Sequence, residues 1–233
     1  MIKPVLTVLP AALMAAVWLA AAPAGAADQS APSPTLKVGD RWVYNVTAGV
    51  GLSKTTYQET REVTAVDASG IKVKVTGKNS EGKDFTRVDE LASPGEVRYG
   101  SPCVDEPYRF QTPLQRVQFP IVPGERSSKW VDVIAEPSGT KGQFNYYFHT
   151  LNWDKQSVPA GTFDAIRVDV LMMLDDATAF RNATTCNFIY WYSPAARNTV
   201  RERRTAMYTT HLAPTETQVL NANYELASFT PGK

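Results

Sequence analysis

Ala68-Ser69-Gly70-Ile71-Lys72-Val73-Lys74-Val75-Thr76, running on through Gly77-Lys78 into Asn79-Ser80-Glu81-Gly82-Lys83, decides the fold class. Ile71, Val73 and Val75 alternate with Lys72, Lys74 and Thr76. Successive side chains of a strand point to opposite faces, so this segment has one apolar and one polar face. Turn-forming residues at both ends reverse the chain and make it one leg of a meander of hairpins. The same period extends outward on both sides. Trp42, Tyr44 and Val46 share a face opposite Val43, Asn45 and Thr47, while residues 55–66 are Thr-rich and charged and read as a long, largely exposed strand. Residues 85–91 and 96–99 continue the meander around the turn Pro94-Gly95.

Further strands are expected at 129–135, 143–151, 163–174, 186–192, 199–208 and 217–229, with Ile166, Val168, Val170 and Met172 facing inward. Between the two groups, residues 101–124 carry Pro102, Pro107, Pro113, Pro120 and Pro123. Proline removes a ladder donor, so this stretch reads as a connector with only short extended pieces such as 108–111. The best helix candidate, 175–181, is about two turns long and reads equally as a loop. An internal echo links Gly39-Asp40-Arg41-Trp42 to Gly124-Glu125-Arg126, followed after an insertion by Trp130. It points to two related β modules.

The N-terminus has Lys3, then an apolar run from Val5 to Ala22 broken by Thr7 and Pro10, then Ala24-Gly25-Ala26-Ala27 before Asp28. That order is a cleavable signal peptide over 1–26, cut after Ala26 or Ala27. A membrane anchor fits less well, since the run is Ala-rich, the small-residue site follows at once, and no later apolar stretch would span a bilayer. No cysteine marks the cleavage site for lipid attachment, and the location read from this is the periplasm, with secretion as the alternative. Residues 27–35 form a polar tether expected to be disordered; 36–100 form the first β module, 101–124 the connector, and 125–233 the second module, making one compact domain with the first.

Cleavage leaves about 205 residues, enough to bury a core, and takes the net charge from +1 to about zero. A neutral, interspersed balance argues against nucleic acid or an anionic membrane surface as partner. The two cysteines, Cys103 and Cys186, read as a disulfide in an oxidising compartment. Closing a loop of about 84 residues is worth up to about 4.5 kcal/mol.

Several motifs together resemble a known group. Gly39-Asp40-Arg41-Trp42-x-Tyr44, Phe119-Pro120-x-x-Pro123-Gly124 before Trp130, Val158-Pro159-Ala160-Gly161-Thr162-Phe163-Asp164-Ala165, and Trp191-Tyr192-Ser193-Pro194 look like bacterial exported families of unknown function. Those families are related in fold to the lipoprotein-localisation carriers of the periplasm. The resemblance implies an all-β fold with at most one or two short helices: a strongly curved antiparallel sheet or incomplete barrel over an apolar hollow, which in the carriers holds acyl chains. It supplies no functional residue, and no plug helix is found in this sequence.

Candidate chemistry is sparse. His149 and His211 lack Cys, Asp or Glu at ligand or triad spacing. Asp105-Glu106 and Asp175-Asp176 are adjacent, which on a strand sends them to opposite faces, and no calcium-loop pattern is present. No catalytic residue, metal site or cofactor is assigned. Trp42, Tyr44, Phe144, Tyr146, Phe148, Met172, Phe188 and Tyr190 fall at period-two positions and would line a cavity, although a filled core has the same pattern. Arg201 and Arg203 share a strand face and are the candidates for a head-group contact, against the alternative that they pair with acids across strands. The function read from this is a non-catalytic periplasmic binder of a lipid, acyl chain or other apolar small molecule. The alternatives are an envelope protein-interaction module that pairs through exposed strand edges and, third, a hydrolase or isomerase.

Overall fold

The computed structural model describes residues 29–50, 53–79, 82–101, 103, 107–135, 139–175, 184–210 and 212–233. The expected signal peptide, residues 176–181 of the helix candidate, Asp105-Glu106, Asp176 and His211 lie outside the described residues. Among the described residues twelve strands follow in chain order: β1 Arg41–Val50, β2 Thr55–Asp67, β3 Gly70–Lys78, β4 Asp84–Ser93, β5 Glu96–Gly100, β6 Tyr108–Gln115, β7 Arg126–Ala135, β8 Lys141–Val158, β9 Gly161–Asp175, β10 Thr184–Ser193, β11 Asn198–Thr210 and β12 Ala213–Thr230. A 3-10 turn, Pro194–Ala196, separates β10 from β11.

Each strand pairs antiparallel with the next, and β1 also pairs with β12, from Arg41 opposite Thr230 to Val50 opposite Leu220. The strongly curved antiparallel sheet is therefore present, and its curvature runs on to full closure. One ring takes in both segments read as modules. The stretch 101–124 supplies β6, which pairs with β7 only through Tyr108, Arg109 and Phe110 before Pro113. Closure also gives every strand of the ring a neighbour on each side, which removes the free strand edges that the partner-pairing alternative needed.

Eight strands make a barrel that side chains just fill, and twelve enclose more space. Large rings occupy much of it: Tyr44, Tyr108, Tyr146 and Tyr190 are fully buried, and Trp42, Phe144 and Phe188 nearly so. They sort into two apolar clusters. One gathers Tyr108, Phe110, Phe144, Tyr146, Phe148, Met172 and Phe188; the other gathers Trp42, Tyr44, Val46, Val63, Val73, Val75 and Leu226. The Cys103–Cys186 disulfide joins the β5–β6 connection to β10, elements that are not neighbours in the ring, and so crosses the first cluster.

The outer face is polar and carries ion pairs such as Lys155–Asp164 at 2.8 Å and Arg167–Asp169 at 2.7 Å. A membrane-spanning barrel has the reverse polarity, with an apolar outer band. No helix among the described residues is long and apolar enough to cross a membrane.

One of the resemblance motifs proves to be a structural fastener. Gly39 takes φ 89°, open to glycine at no steric cost, and delivers the fully buried Asp40. The Asp40 carboxylate accepts from the backbone N–H of Lys37 at 2.8 Å, from that of Gly232 at 2.7 Å, and from Arg197 Nη1 at 3.0 Å. It thus ties β1, the segment after β12 and the β10–β11 turn together. Two residues on, Trp42 Nε1 donates to Ala196 O at 2.7 Å. Gly124 repeats the turn with φ 80°, but Trp130 is 66 % exposed where Trp42 is 1 % exposed. Parity explains this, because Trp42 is one residue past its arginine and Trp130 is four past. An odd offset and an even one put the two rings on opposite faces of a strand. Ahead of β1, Ala31 is fully buried and bridges Ile121, and Trp153 Nε1 donates to Gln29 O at 2.6 Å.

Candidate functional site

The eight aromatic and methionine residues singled out in the sequence all point into the barrel and are at most 3 % exposed. Six belong to the first apolar cluster, where they mostly pack on one another: Phe144 meets Tyr108 and Phe110 edge-on at 5.1 and 5.6 Å, and Phe188 stacks on Tyr190 at 5.6 Å. The open space lies beside two of the eight, Trp42 and Tyr190, and away from the other six. A cavity of about 120 Å³ is lined by Trp42, Val73, Leu91, Val97, Phe119 and Tyr190 together with Arg61, Arg116 and Arg204. A second, of about 70 Å³, is lined by Tyr57, Phe85, Leu220 and Tyr224, and Arg87 and Arg204 border both.

Between the cavities runs a belt of charge that sequence reading missed. The phase of β2 is set by Val63, which packs inward; stepping back by two brings Arg61 and then Glu59 into the lumen, 8 % and 4 % exposed. Val200 and Ala206 set the phase of β11 in the same way and turn Glu202 and Arg204 inward. Arg116, just after β6, reaches Glu202 at 3.1 Å from a distant part of the ring. The neighbouring anchors of the phase were the available signal, and the charged residues took the side that Val63, Val200 and Ala206 marked as interior.

The belt is a network. Arg61 Nε donates to Glu59 Oε1 at 2.7 Å, and its Nη1 lies 3.7 Å from Glu202 Oε2. Arg204 Nε donates to Glu202 Oε1, and Arg116 donates from Nη2 to both oxygens of the same carboxylate and from Nε to the Tyr190 hydroxyl at 3.1 Å. Arg61 also lies over the Tyr44 ring at 4.6 Å, and Arg204 over Tyr224 at 4.6 Å. Burial alone would raise the Glu202 carboxyl, but Arg204, Arg116 and Arg61 outweigh it and hold the group at about 2. Burial pushes the Tyr44 hydroxyl up to about 12 despite Arg61 beside it. One donor of the belt is left over: Arg61 Nη2 is buried and has no hydrogen-bond partner among the described residues.

The structure does not bring Arg201 and Arg203 into this lumen. They alternate with Glu202 and Arg204 and therefore face outward. Arg201 donates to Glu225 at 2.9 Å, to Gln156 at 3.0 Å and to Ser157 O, which is the cross-strand pairing weighed against a ligand role. Arg203 lies over the Trp191 ring at 5.6 Å, with Arg167 at 5.7 Å from the same ring. His149 is half-buried on the outer face, opposite Arg126 on β7 and Asp169 on β9. Asp175 ends β9. Among the described residues no group of three or more His, Cys, Asp or Glu could hold a metal ion.

No family model matches the chain, and no curated protein matches it. Solved structures with a likeness to it include a Bacteroides fragilis protein named as exported with a YmcC-like fold, at TM-score 0.48 and 14 % identity over 86 % of this chain and 99 % of that one. Another is a Parabacteroides distasonis protein named as a lipoprotein, at TM-score 0.48 and 14 % identity over 86 % and 97 %. A third is the hypothetical lipoprotein YmcC of Escherichia coli, at TM-score 0.41 and 6 % identity over 82 % and 85 %. At such scores the likeness says nothing of ligand or activity.

Proposed function

We propose that this protein is a non-catalytic, exported protein of the periplasm that binds an apolar or amphipathic small molecule inside its barrel. The observation that carries the reading is the 120 Å³ cavity, which apolar side chains and guanidinium groups line together. Such a mixed lining suits a molecule with an apolar body and a polar end. Export is supported by the charged-apolar-small order of the first 27 residues and by the Cys103–Cys186 bridge.

Size narrows the class. Pockets for drug-sized ligands run to about 300–1,000 Å³, whereas a cavity of about 150 Å³ takes one benzene ring. At 120 Å³ the lumen suits an apolar body of about six carbon atoms, and a long acyl chain enters only if interior side chains move aside. The half-buried Pro34, Leu36, Pro94 and Phe119 in the lining carry the cavity toward the surface.

The test is mass spectrometry of whatever is extracted from protein purified out of its native compartment, paired with a titration of 1-hexanol followed by chemical shifts of lumen residues. A stoichiometric small amphipath, or shifts confined to the lining of the cavity, supports the reading. A protein that carries nothing and shows no lumen shift with 1-hexanol overturns it. A bound molecule that the protein converts to a new product on incubation would overturn the non-catalytic part alone.

A further inference from the structure

The charges around the cavity do not cancel. Five arginines line it: Arg61, Arg87, Arg116, Arg197 and Arg204. Four carboxylates answer them: Glu59 for Arg61, Asp89 for Arg87, Asp40 for Arg197, and Glu202 shared among Arg61, Arg116 and Arg204. Five positive charges less four negative leave one unbalanced positive charge, and it falls on the Glu202 cluster, where three guanidiniums share a single carboxylate besides Glu59. Buried charges are ordinarily paired, because an unpaired one in a low-dielectric interior costs several kcal/mol.

A second, independent feature marks the same place. Arg61 is 8 % exposed, and its Nη2 has no partner among the described residues although Nε is committed to Glu59 and Nη1 faces Glu202. Arg61 lines the cavity, and an idle nitrogen on its guanidinium, beside one unit of uncompensated charge, is the arrangement that an anionic oxygen completes. Trp42, Val73, Leu91, Val97 and Phe119 line the same cavity and provide apolar surface.

We infer that the cavity binds a small amphipathic monoanion, a carboxylate on an apolar body of about six carbons, whose oxygen accepts a hydrogen bond from Arg61 Nη2 while its body packs on Trp42, Val73 and Phe119. This rests on the lumen-binding reading above and adds the charge and chemical class of the ligand. One negative charge balances the site; a phosphate monoester, with about −1.5 to −2 at neutral pH, overshoots it.

Hexanoate, 1-hexanol and hexyl phosphate share a chain and differ only at the head, so titrating the purified protein with each separates the claims. Hexanoate is expected to bind at least tenfold more tightly than 1-hexanol, and more tightly than hexyl phosphate. Arg61→Met is expected to abolish the preference for hexanoate and to change 1-hexanol binding by no more than about threefold, whereas Arg201→Met on the outer face keeps the preference. If 1-hexanol binds in the lumen as well as hexanoate does, the anion site is overturned and lumen binding stands. If hexyl phosphate binds tenfold more tightly than hexanoate, the charge-matching argument is overturned. If none of the three binds, both readings fall. Should Arg61→Met not fold, the three titrations of the unaltered protein still decide.

Discussion

One barrel wall encloses two unlike interiors. Around Phe144 the lumen is rings and aliphatic chains in contact, and around Glu202 it is guanidiniums, carboxylates and two cavities. The first stabilises the fold directly, since burying a Phe, Met or Leu side chain is worth about 1.5–3 kcal/mol. The second contributes little net stability, because the desolvation of each charge about offsets its attraction to a partner. A barrel that needed only to be stable would have filled the second region as it filled the first. On the reading proposed above, the apolar half holds the wall and the charged half serves recognition.

Removing one member of each interior tests that division. Phe144→Ala is expected to cost about 4 kcal/mol in chemical denaturation, as transfer and cavity terms add at a site 1 % exposed. Glu202→Leu is expected to cost about 3–4 kcal/mol by leaving Arg116 and Arg204 buried without their carboxylate. The decisive variant is the triple Arg61→Met, Glu202→Leu, Arg204→Met, which is expected to be more stable than Glu202→Leu alone and to lose the preference for hexanoate. A triple variant less stable than the single one would mean that the belt holds the wall after all.

Acid sharpens the same contrast. Glu202 sits at about 2 in the folded protein against an ordinary 4.5, so its contribution is fully present above about pH 4.5 and is lost as the pH falls through about 2. That contribution is on the order of 3 kcal/mol. Denaturant midpoints at pH 5 and pH 2.5 are expected to differ by less in Glu202→Gln than in the unaltered protein. The smallest effect is expected outside. Lys155 and Asp164 form the same kind of ion pair at 2.8 Å, but with side chains 75 % and 70 % exposed, so Lys155→Ala is expected to cost less than about 1 kcal/mol.

What the chain reveals locally follows the same divide. The alternation in 71–76 and the inward set Ile166, Val168, Val170 and Met172 were legible because apolar-in, polar-out is the pattern that alternation reports. Glu59, Arg61, Glu202 and Arg204 were not, because hydrophobicity names the wrong face wherever the interior is charged; residues 55–66 read as exposed for that reason. Phase would have corrected it: Val63 and Val200 are inward, and residues two and four positions away along a strand share their face. Closure was illegible for a different reason. The pairing of β1 with β12 joins positions nearly the whole chain apart, and no local period records a partner at that distance. Trp130 shows the limit of motif matching, since the echo repeats the residues of Gly39–Trp42 but not their parity.

The Asp40 junction bears on how the molecule is made. Its carboxylate reaches back to Lys37 and out to Gly232, and β1 finds its second neighbour only in Ala213–Thr230. When the chain folds from its N-terminal end, the first strand has β2 alone beside it and keeps one edge open until the last strand arrives. A message cut short before β12 would therefore yield a ribbon with two sticky borders instead of a smaller barrel, and the cell's quality control, rather than the lumen, would meet it first.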